Sequence, residues 1–575
     1  MPQAEYPWLK HYEEGVPHSI QYPSVPLHRT LEDTAARFPD HTALAFLGNK
    51  VTYRQLNAQA DRFASALQGL GVGKGDRVAV ILPNCPQFVV AFYGTLKAGG
   101  VVVPTNPLYV EREVEHQLRD SGARVVVTLT KFYPTVQKVQ PKTAVEHVVA
   151  TNIKEYFPAV KRLLFTLLLE AKDGHRVPLE KRPDHHWFGD LMRGAEAAPG
   201  PVKVGPDDVA LFQYTGGTTG VPKGAVLTHY NLLANTIQCR RWITTLVEGQ
   251  DVMLGVLPFF HVYGMTTAMS MSVYAGATIV LLPRFELKEV LATIKAQRPT
   301  LFPGVPTMYV AINNFPQVGD YDLRSIKACL SGAAPLPVEV QKRFEELTGG
   351  RLVEGYGLTE AAPVTHANPV YGLRKEGSIG VPFPDVEARI MDVETGQVEM
   401  PVGETGELSI RAPQVMREYW GHPEDTSLAL RDGWLYTGDI ARMDEDGYFY
   451  IVDRKKDMIL AGGFNIYPRE IEEVLYQHPK VKEAVALGVP DAYRGETPKV
   501  YVVLKEGQSA TEDEILGYCR ENLAKYKVPT IVEFRKELPK TLVGKVLRRV
   551  LREEGSGSEA QGSGTRNKGR GTTEG

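Results

Sequence analysis

Short apolar runs alternate with longer stripes of helical spacing along the first part of the chain. Arg77-Val-Ala-Val-Ile-Leu82 predicts a strand that stops at Pro83. Gln87 to Lys97 carries a helical apolar pattern that ends at Gly99-Gly100, and Val101-Val-Val-Pro104 predicts the next strand. That order implies β–α–β units, hence parallel sheet with crossover helices. Val125–Thr128, Ala210–Phe212, Ala277–Leu282 and Ile326–Leu330 repeat the theme.

The texture changes near residue 450. Tyr448–Val452 predicts a strand, and the charge run Asp453-Arg454-Lys455-Lys456-Asp457 follows it. A smaller α+β unit is expected to about Glu554, with a helix from Pro468 to His478 that is acidic early, as the helix dipole favours. From Gly555 the chain is rich in Gly, Ser and Thr, too polar to repay the entropy of ordering, so residues 555–575 are expected to be a disordered tail. No internal repeat is visible.

Val160-Lys-Arg-Leu-Leu-Phe-Thr-Leu-Leu-Leu169 stands apart. It reads first as a buried helix, because the apolar block runs all round rather than along one side. The alternative is an interfacial helix on an anionic membrane.

The chain has 575 residues, too long for one domain at roughly 100–200 residues each. Hydrophobic residues at 43% and charged residues at 23% exclude wholesale disorder. A net charge of −3 gives no reason to expect nucleic acid as partner. Cys85, Cys239, Cys329 and Cys519 are far apart and form no C-x-x-C pair, so they read as buried hydrophobes in a reducing compartment. The N-terminus lacks the pattern of a secretory signal, and no apolar run reaches the ~20 residues of a spanning helix. A cytoplasmic protein is expected, with peripheral contact at the inner face of the membrane through residues 160–169 as an option.

Tyr214-Thr-Gly-Gly-Thr-Thr-Gly-Val-Pro-Lys-Gly224 is the strongest local signal. Glycines let backbone N–H groups turn toward an anion, and threonine hydroxyls and Lys223 add donors and charge. This composition suits a triphosphate. It is not a Walker A loop, because Lys223 is followed by Gly224 rather than Ser or Thr.

With that loop, Tyr356-Gly-Leu-Thr-Glu360, Tyr436-Thr-Gly-Asp439, Asp453 to Asp457 and Pro539-Lys-Thr-Leu-Val-Gly-Lys545 follow in order. Together they resemble the adenylate-forming superfamily of acyl-CoA synthetases, luciferases and adenylation domains. Tyr6-Pro-Trp-Leu9, Arg417-Glu-Tyr-Trp-Gly421 and Gly433 to Asp439 are most similar to bacterial long-chain fatty acid–CoA ligases.

The resemblance implies an α/β fold. A large N-terminal body over 1–452 would combine parallel-sheet α/β layers with a β-rich part. A small mobile C-terminal domain would cover 453–554, with the hinge at 453–455. It also implies a two-step reaction with ATP, magnesium and coenzyme A, in which acid and ATP give acyl-AMP and pyrophosphate, and coenzyme A then displaces AMP.

By the same resemblance, Thr215, Gly216, Gly217, Thr218, Thr219, Lys223 and Thr359 hold phosphates, and Glu360, with Thr215 near it, binds the metal. Tyr356, between Gly355 and Gly357, stacks on adenine. Gly332, Ala333 and Ala334 let the purine and the start of the acyl chain approach. Asp439 takes the ribose hydroxyls, near Ile451 and Arg454. Lys545 stabilises the first transition state. Ala461-Gly462-Gly463-Phe464 approach the pantetheine in the second step, in which the small domain is rotated, and Lys456 is among the cofactor-binding residues. His261 lies at the carboxylate end of the acid or is a packed structural histidine, and Val305 forms a tunnel wall. Met265 stands where some long-chain members carry a gating tryptophan. Lys540 and Arg548 read as ordinary surface cations.

Alternatives are an aryl-CoA ligase, an acyl-AMP ligase serving a carrier protein, and a non-catalytic nucleotide-binding scaffold. Oligomeric state stays open, with a homodimer as one option.

Overall fold

The computed structural model describes residues 6–215, 222–461, 464–491, 494–541, 546–552 and 554. The chain divides into two compact units. The first runs to Arg389 and adds Ser409–Thr437 and Asp444–Phe449. The second takes Ile390–Leu408, Gly438–Met443 and the described residues from Tyr450 onward.

The first unit is built on the alternation seen in the sequence. Strands Arg77–Ile81, Val101–Pro104, Val125–Leu129, His147–Thr151 and His185–Trp187 run parallel, with Val209–Tyr214 parallel to Val101–Pro104. Gly224–Thr228, antiparallel to Val209–Tyr214, and Glu418–Tyr419 at the edge beyond it complete this eight-stranded sheet. Strands 101–104 and 125–129 are buried throughout, which is why they read as unbroken valine runs. The crossover helix Pro86–Lys97 is buried along its whole length.

A second layer holds the parallel pairs Val252–Gly255 with Thr278–Leu281, and Ala328–Ser331 with Arg351–Gly357. Bridges through Leu301 join them. Strand Val364–Ala367 runs antiparallel to 351–357.

The second unit has its own core. Strands Ile459–Ala461, Phe464–Ile466, Val481–Asp491, Gly495–Leu504 and Ile531–Phe534 form one sheet. Helices Pro468–Gln477 and Glu512–Asn522 bury Ile471, Leu475, Ile515 and Cys519 against Ala484, Val500 and Val502.

Two expectations are corrected. Arg548 is no surface cation: it donates to the Ala486 carbonyl at 2.7 Å and to Glu472 Oε1 at 2.8 Å. Its charge is needed because helix 468–477 carries Glu472 inward. The helix Ala159–Leu168 contains no buried residue, so the expected buried helix is an exposed one. All four cysteines are buried, as expected. Among the described residues no helix is long and apolar enough to cross a membrane. The tail from Gly555 lies outside the described residues.

Candidate active site

Strand Val209–Tyr214 delivers the chain to Thr215, whose backbone N–H donates to the Lys223 carbonyl at 2.9 Å. This closes the base of the glycine–threonine loop. Gly216, Gly217, Thr218 and Thr219 lie outside the described residues. Lys223 emerges at the loop's far end with Nζ 2.5 Å from Asp425 Oδ1 and 5.8 Å from the centre of the Tyr419 ring.

Tyr419 sits here because Glu418–Tyr419 pairs antiparallel with the strand that follows the loop, Tyr419 opposite Ala225. Its hydroxyl donates to Glu360 Oε1 at 2.7 Å, and the Met416 N–H donates to the Glu360 carbonyl at 2.7 Å. Burial, then the charge of Glu360, pushes the Tyr419 phenol far above its ordinary range, so it remains a donor. A carboxylate and an ammonium are thus held on one phenol beside the loop.

Glu360 lies in a single 3₁₀ turn, Thr359–Ala361, closed by Ala362 in the left-handed region. Among the described residues no cluster of three or more His, Cys, Asp or Glu could hold a metal. One carboxylate fits magnesium only where phosphate oxygens and water supply the other ligands, which is the usual pattern beside a triphosphate.

Tyr356 is half-buried on strand 351–357, its ring edge-on to His366 at 5.9 Å. The flanking glycines serve close packing. A Cβ on Gly355 would meet Leu330 Cδ1 at 2.6 Å, and one on Gly357 would meet the Pro363 carbonyl oxygen at 2.0 Å. Gly332 likewise lets the Tyr263 ring approach. Ala333 is exposed in the left-handed region, a strained conformation for a residue with a Cβ, and Ala334 is half-buried.

The residues expected on the acid side attach to the same loops. Gln213 Nε2 donates to the Phe260 carbonyl at 3.1 Å, fixing the His261 segment to the strand before the glycine–threonine loop. His261 caps the next helix, its Nδ1 accepting from the Tyr263 N–H at 3.2 Å. Tyr263 donates to the Leu330 carbonyl at 2.7 Å, just before Ser331-Gly332.

Met265 is fully buried and opens a π-helix, Met265–Ser270, a form concentrated at functional sites. Thr266 of this helix donates to the Ala362 carbonyl at 2.8 Å, next to the Glu360 turn. Val305 is buried. An apolar cavity of about 30 Å³ lies beyond, lined by Cys239, Trp242, Thr267, Met271, Cys329 and Leu330 among others. In the first unit, hydrogen bonds and a ring contact tie Thr215 to Lys223, Lys223 through Tyr419 to Glu360, and His261 through Tyr263 to the Leu330–Gly332 segment, while Tyr356 lies on the strand that runs into the Glu360 turn.

Asp439, Ile451, Arg454 and Lys456 belong to the second unit. Asp439 Oδ1 is 3.3 Å from Arg454 Nε. Asp453 accepts the N–H groups of Arg454 and Arg469 at 2.7 and 2.8 Å, and Arg469 donates to the Ile451 carbonyl at 2.7 Å. Lys456 is exposed. Gly462, Gly463 and Lys545 lie outside the described residues.

Tyr419, Asp425 and Gln213 were not singled out from sequence. Arg417-Glu-Tyr-Trp-Gly421 stood only as a likeness, although an aromatic pair between polar residues signals a short edge strand.

A family model described as AMP-binding enzyme matches residues 31–420, and one described as AMP-binding enzyme C-terminal domain matches 470–545. A long-chain-fatty-acid–CoA ligase of Bacillus subtilis is 50% identical over 554 residues, covering 96% of this chain and 98% of its own. The crystal structure of ATP-bound MatB from Rhodopseudomonas palustris has a TM-score of 0.81 at 31% identity, over 92% of this chain and 99% of that one. A Mycobacterium tuberculosis fatty acyl CoA synthetase has a TM-score of 0.70 at 32% identity, over 93% and 99%.

Proposed function

The chain belongs to the AMP-binding enzyme family, and on that premise we propose that it is a long-chain fatty acid–CoA ligase that forms AMP. In the first step a carboxylate oxygen attacks the α-phosphorus of ATP, and pyrophosphate leaves. In the second the thiolate of coenzyme A attacks the acyl carbonyl, and AMP leaves.

The observation that carries this reading is the Lys223–Tyr419–Glu360 arrangement beside the glycine–threonine loop. It offers a cation for phosphate oxygens and a single oriented carboxylate for a metal. Thr215 and Thr359 add hydroxyl donors to the phosphates. Magnesium held by Glu360 would neutralise phosphate charge. Tyr356 presents its ring to the purine, with Gly332, Ala333 and Ala334 forming the neighbouring backbone. His261 and the buried Met265 and Val305 bound the acid. Within the second unit, Asp439 and Arg454 supply an acceptor and a donor of the kind a ribose needs. Lys545 is assigned the transition-state charge of the first step.

The experiment is acid-dependent ATP–pyrophosphate exchange, then thioester formation across a panel of chain lengths. Exchange and thioester with long acids are expected. Exchange without thioester would reject the ligase reading in favour of an acyl-AMP ligase. Lys545→Ala should abolish exchange while leaving thioester formation from supplied acyl-AMP; equal loss of both would reject its assignment.

A further inference from the structure

The helix Ala159–Leu168 carries a feature that the ligase reading leaves unused. Val160, Leu163, Leu164, Leu167 and Leu168 recur at intervals of three and four, so they share one face. That face looks outward, with exposures of 72, 61, 50, 68 and 68%. Single exposed leucines are ordinary on a protein surface, but a continuous stripe of them is not.

The opposite face holds the helix in place. Phe165 packs edge-on against Phe157 and His175, with ring centres 5.3 and 5.7 Å away. Thr166 Oγ1 accepts from Lys154 at 3.2 Å, and its carbonyl accepts from Arg176 at 2.7 Å. Arg162 donates to the Glu155 and Phe157 carbonyls, and Lys161 to the Leu47 carbonyl at 2.7 Å. The helix is therefore fixed by polar contacts on its inner side and carries its aliphatic side chains outward, the reverse of an ordinary surface helix.

Charge selects the occupant. From Ala159 to Arg176 the chain carries Lys161, Arg162, Lys172 and Arg176 against Glu170 and Asp173. Glu170 is buried and paired with Lys154 at 2.6 Å, so the surface around the stripe is basic. The stripe has none of the aromatic or methionine anchors that enrich protein–protein interface cores. At ten residues it is about 15 Å long, a single ridge rather than the ~800 Å² face per partner of a stable dimer.

We propose that this helix is an interfacial anchor, lying on an anionic bilayer with its leucine stripe among the acyl chains and the basic surface beside it, the exposed Lys172 included, at the headgroups. The proposal goes beyond the ligase reading. It names the surface at which an amphiphilic acid is met, and the exposed stripe and its basic surroundings do not depend on that reading.

The test is co-sedimentation of the full chain with phosphatidylglycerol/phosphatidylcholine vesicles and with phosphatidylcholine alone. The wild type should bind the anionic vesicles and release them in high salt. Leu164→Glu/Leu168→Glu should weaken binding by about tenfold or more. Leu163→Ser/Leu167→Ser, checked for an unchanged melting temperature, should do the same if the face rather than the fold is responsible. Equal binding by wild type and both variants, or no binding by the wild type, overturns the proposal. So does a wild-type dimer in light scattering that these substitutions convert to monomer with vesicle binding unchanged. Thioester formation from octanoate supplied in solution should persist in all variants, which separates failure of the anchor from failure of the ligase reading.

Discussion

The Tyr419 hydroxyl donates to Glu360 Oε1 across 2.7 Å, although the two residues are 59 positions apart in sequence. A hydrogen bond to a charged group contributes about 1.5–3 kcal/mol, here toward holding one carboxylate in one orientation. Tyr419→Phe should therefore lower pyrophosphate exchange by about tenfold and raise the magnesium concentration needed for half-maximal rate. Glu360→Gln should lower it by about 10²–10³, the usual loss for one electrostatic contact. Because the phenol titrates far above its ordinary range, wild type and Tyr419→Phe should show the same alkaline limb between about pH 7 and 9. Unchanged exchange at every magnesium concentration would make Tyr419 a packing residue only.

Lys223 is not idle, since it is paired with Asp425 at 2.5 Å. A phosphate binding Lys223 must compete with that carboxylate. The pair is partly exposed, so it contributes at most about 1 kcal/mol. Asp425→Asn should lower the KM for ATP by up to about fivefold, leave kcat alone, and lose this advantage as salt screens the pair. A raised KM would show that Asp425 positions Lys223 rather than competing for it.

The parallel sheet was legible because strands buried on both faces appear as unbroken Val/Ile runs, as in Val101–Pro104 and Val125–Leu129. The glycine–threonine loop stands out in sequence because its residue types are poor packers, and Glu360 stands out only through the resemblance that frames it. Tyr419 was not, because its place depends on an edge strand pairing with Gly224–Thr228 across nearly two hundred residues. Arg548 reads as a surface cation because local sequence shows its charge but not the half-buried Glu472 that it meets. Gly355 and Gly357 flank Tyr356 in sequence, but the reason for them, the approach of Leu330 and Pro363, is tertiary.

Three histidines tie stability to acid. Burial lowers His28 to about 4 and His229 and His366 to about 3. Their unfolded values are near 6.5, so below that pH the unfolded chain takes up protons that the native state refuses. Stability should be full above about pH 6.5 and fall as pH drops toward 4, by about 1.4 kcal/mol per pH unit for each histidine. His366, wedged between Tyr356 and Phe449, offers the cleanest variant. His366→Asn should be less stable at neutral pH but lose stability less steeply, with about 1.4 kcal/mol per pH unit removed from the slope between about pH 6 and 4. Urea unfolding at several pH values measures it, and an unchanged slope would reject the role of His366.

Arg548 binds Glu472 Oε1 at 2.8 Å and the Ala486 carbonyl at 2.7 Å, and its Nε lies 3.8 Å from Asp457, which also accepts from Arg552 at 3.1 Å. Removing one partner of a buried pair leaves the other charge unpaired, at about 3–5 kcal/mol. Arg548→Ala should destabilise the second unit by that order. Arg548→Lys should recover little, because an ammonium cannot reproduce the guanidinium fork. Glu472→Ala/Arg548→Ala should recover more, since Asp457 keeps Arg552. The five tryptophans, Trp8, Trp187, Trp242, Trp420 and Trp434, all lie in the first unit. Arg548→Ala should therefore add an early transition to the far-ultraviolet circular dichroism melt without moving the tryptophan fluorescence melt. A single transition at the wild-type temperature in both signals would show that the Arg548 network holds nothing that the rest of the unit does not.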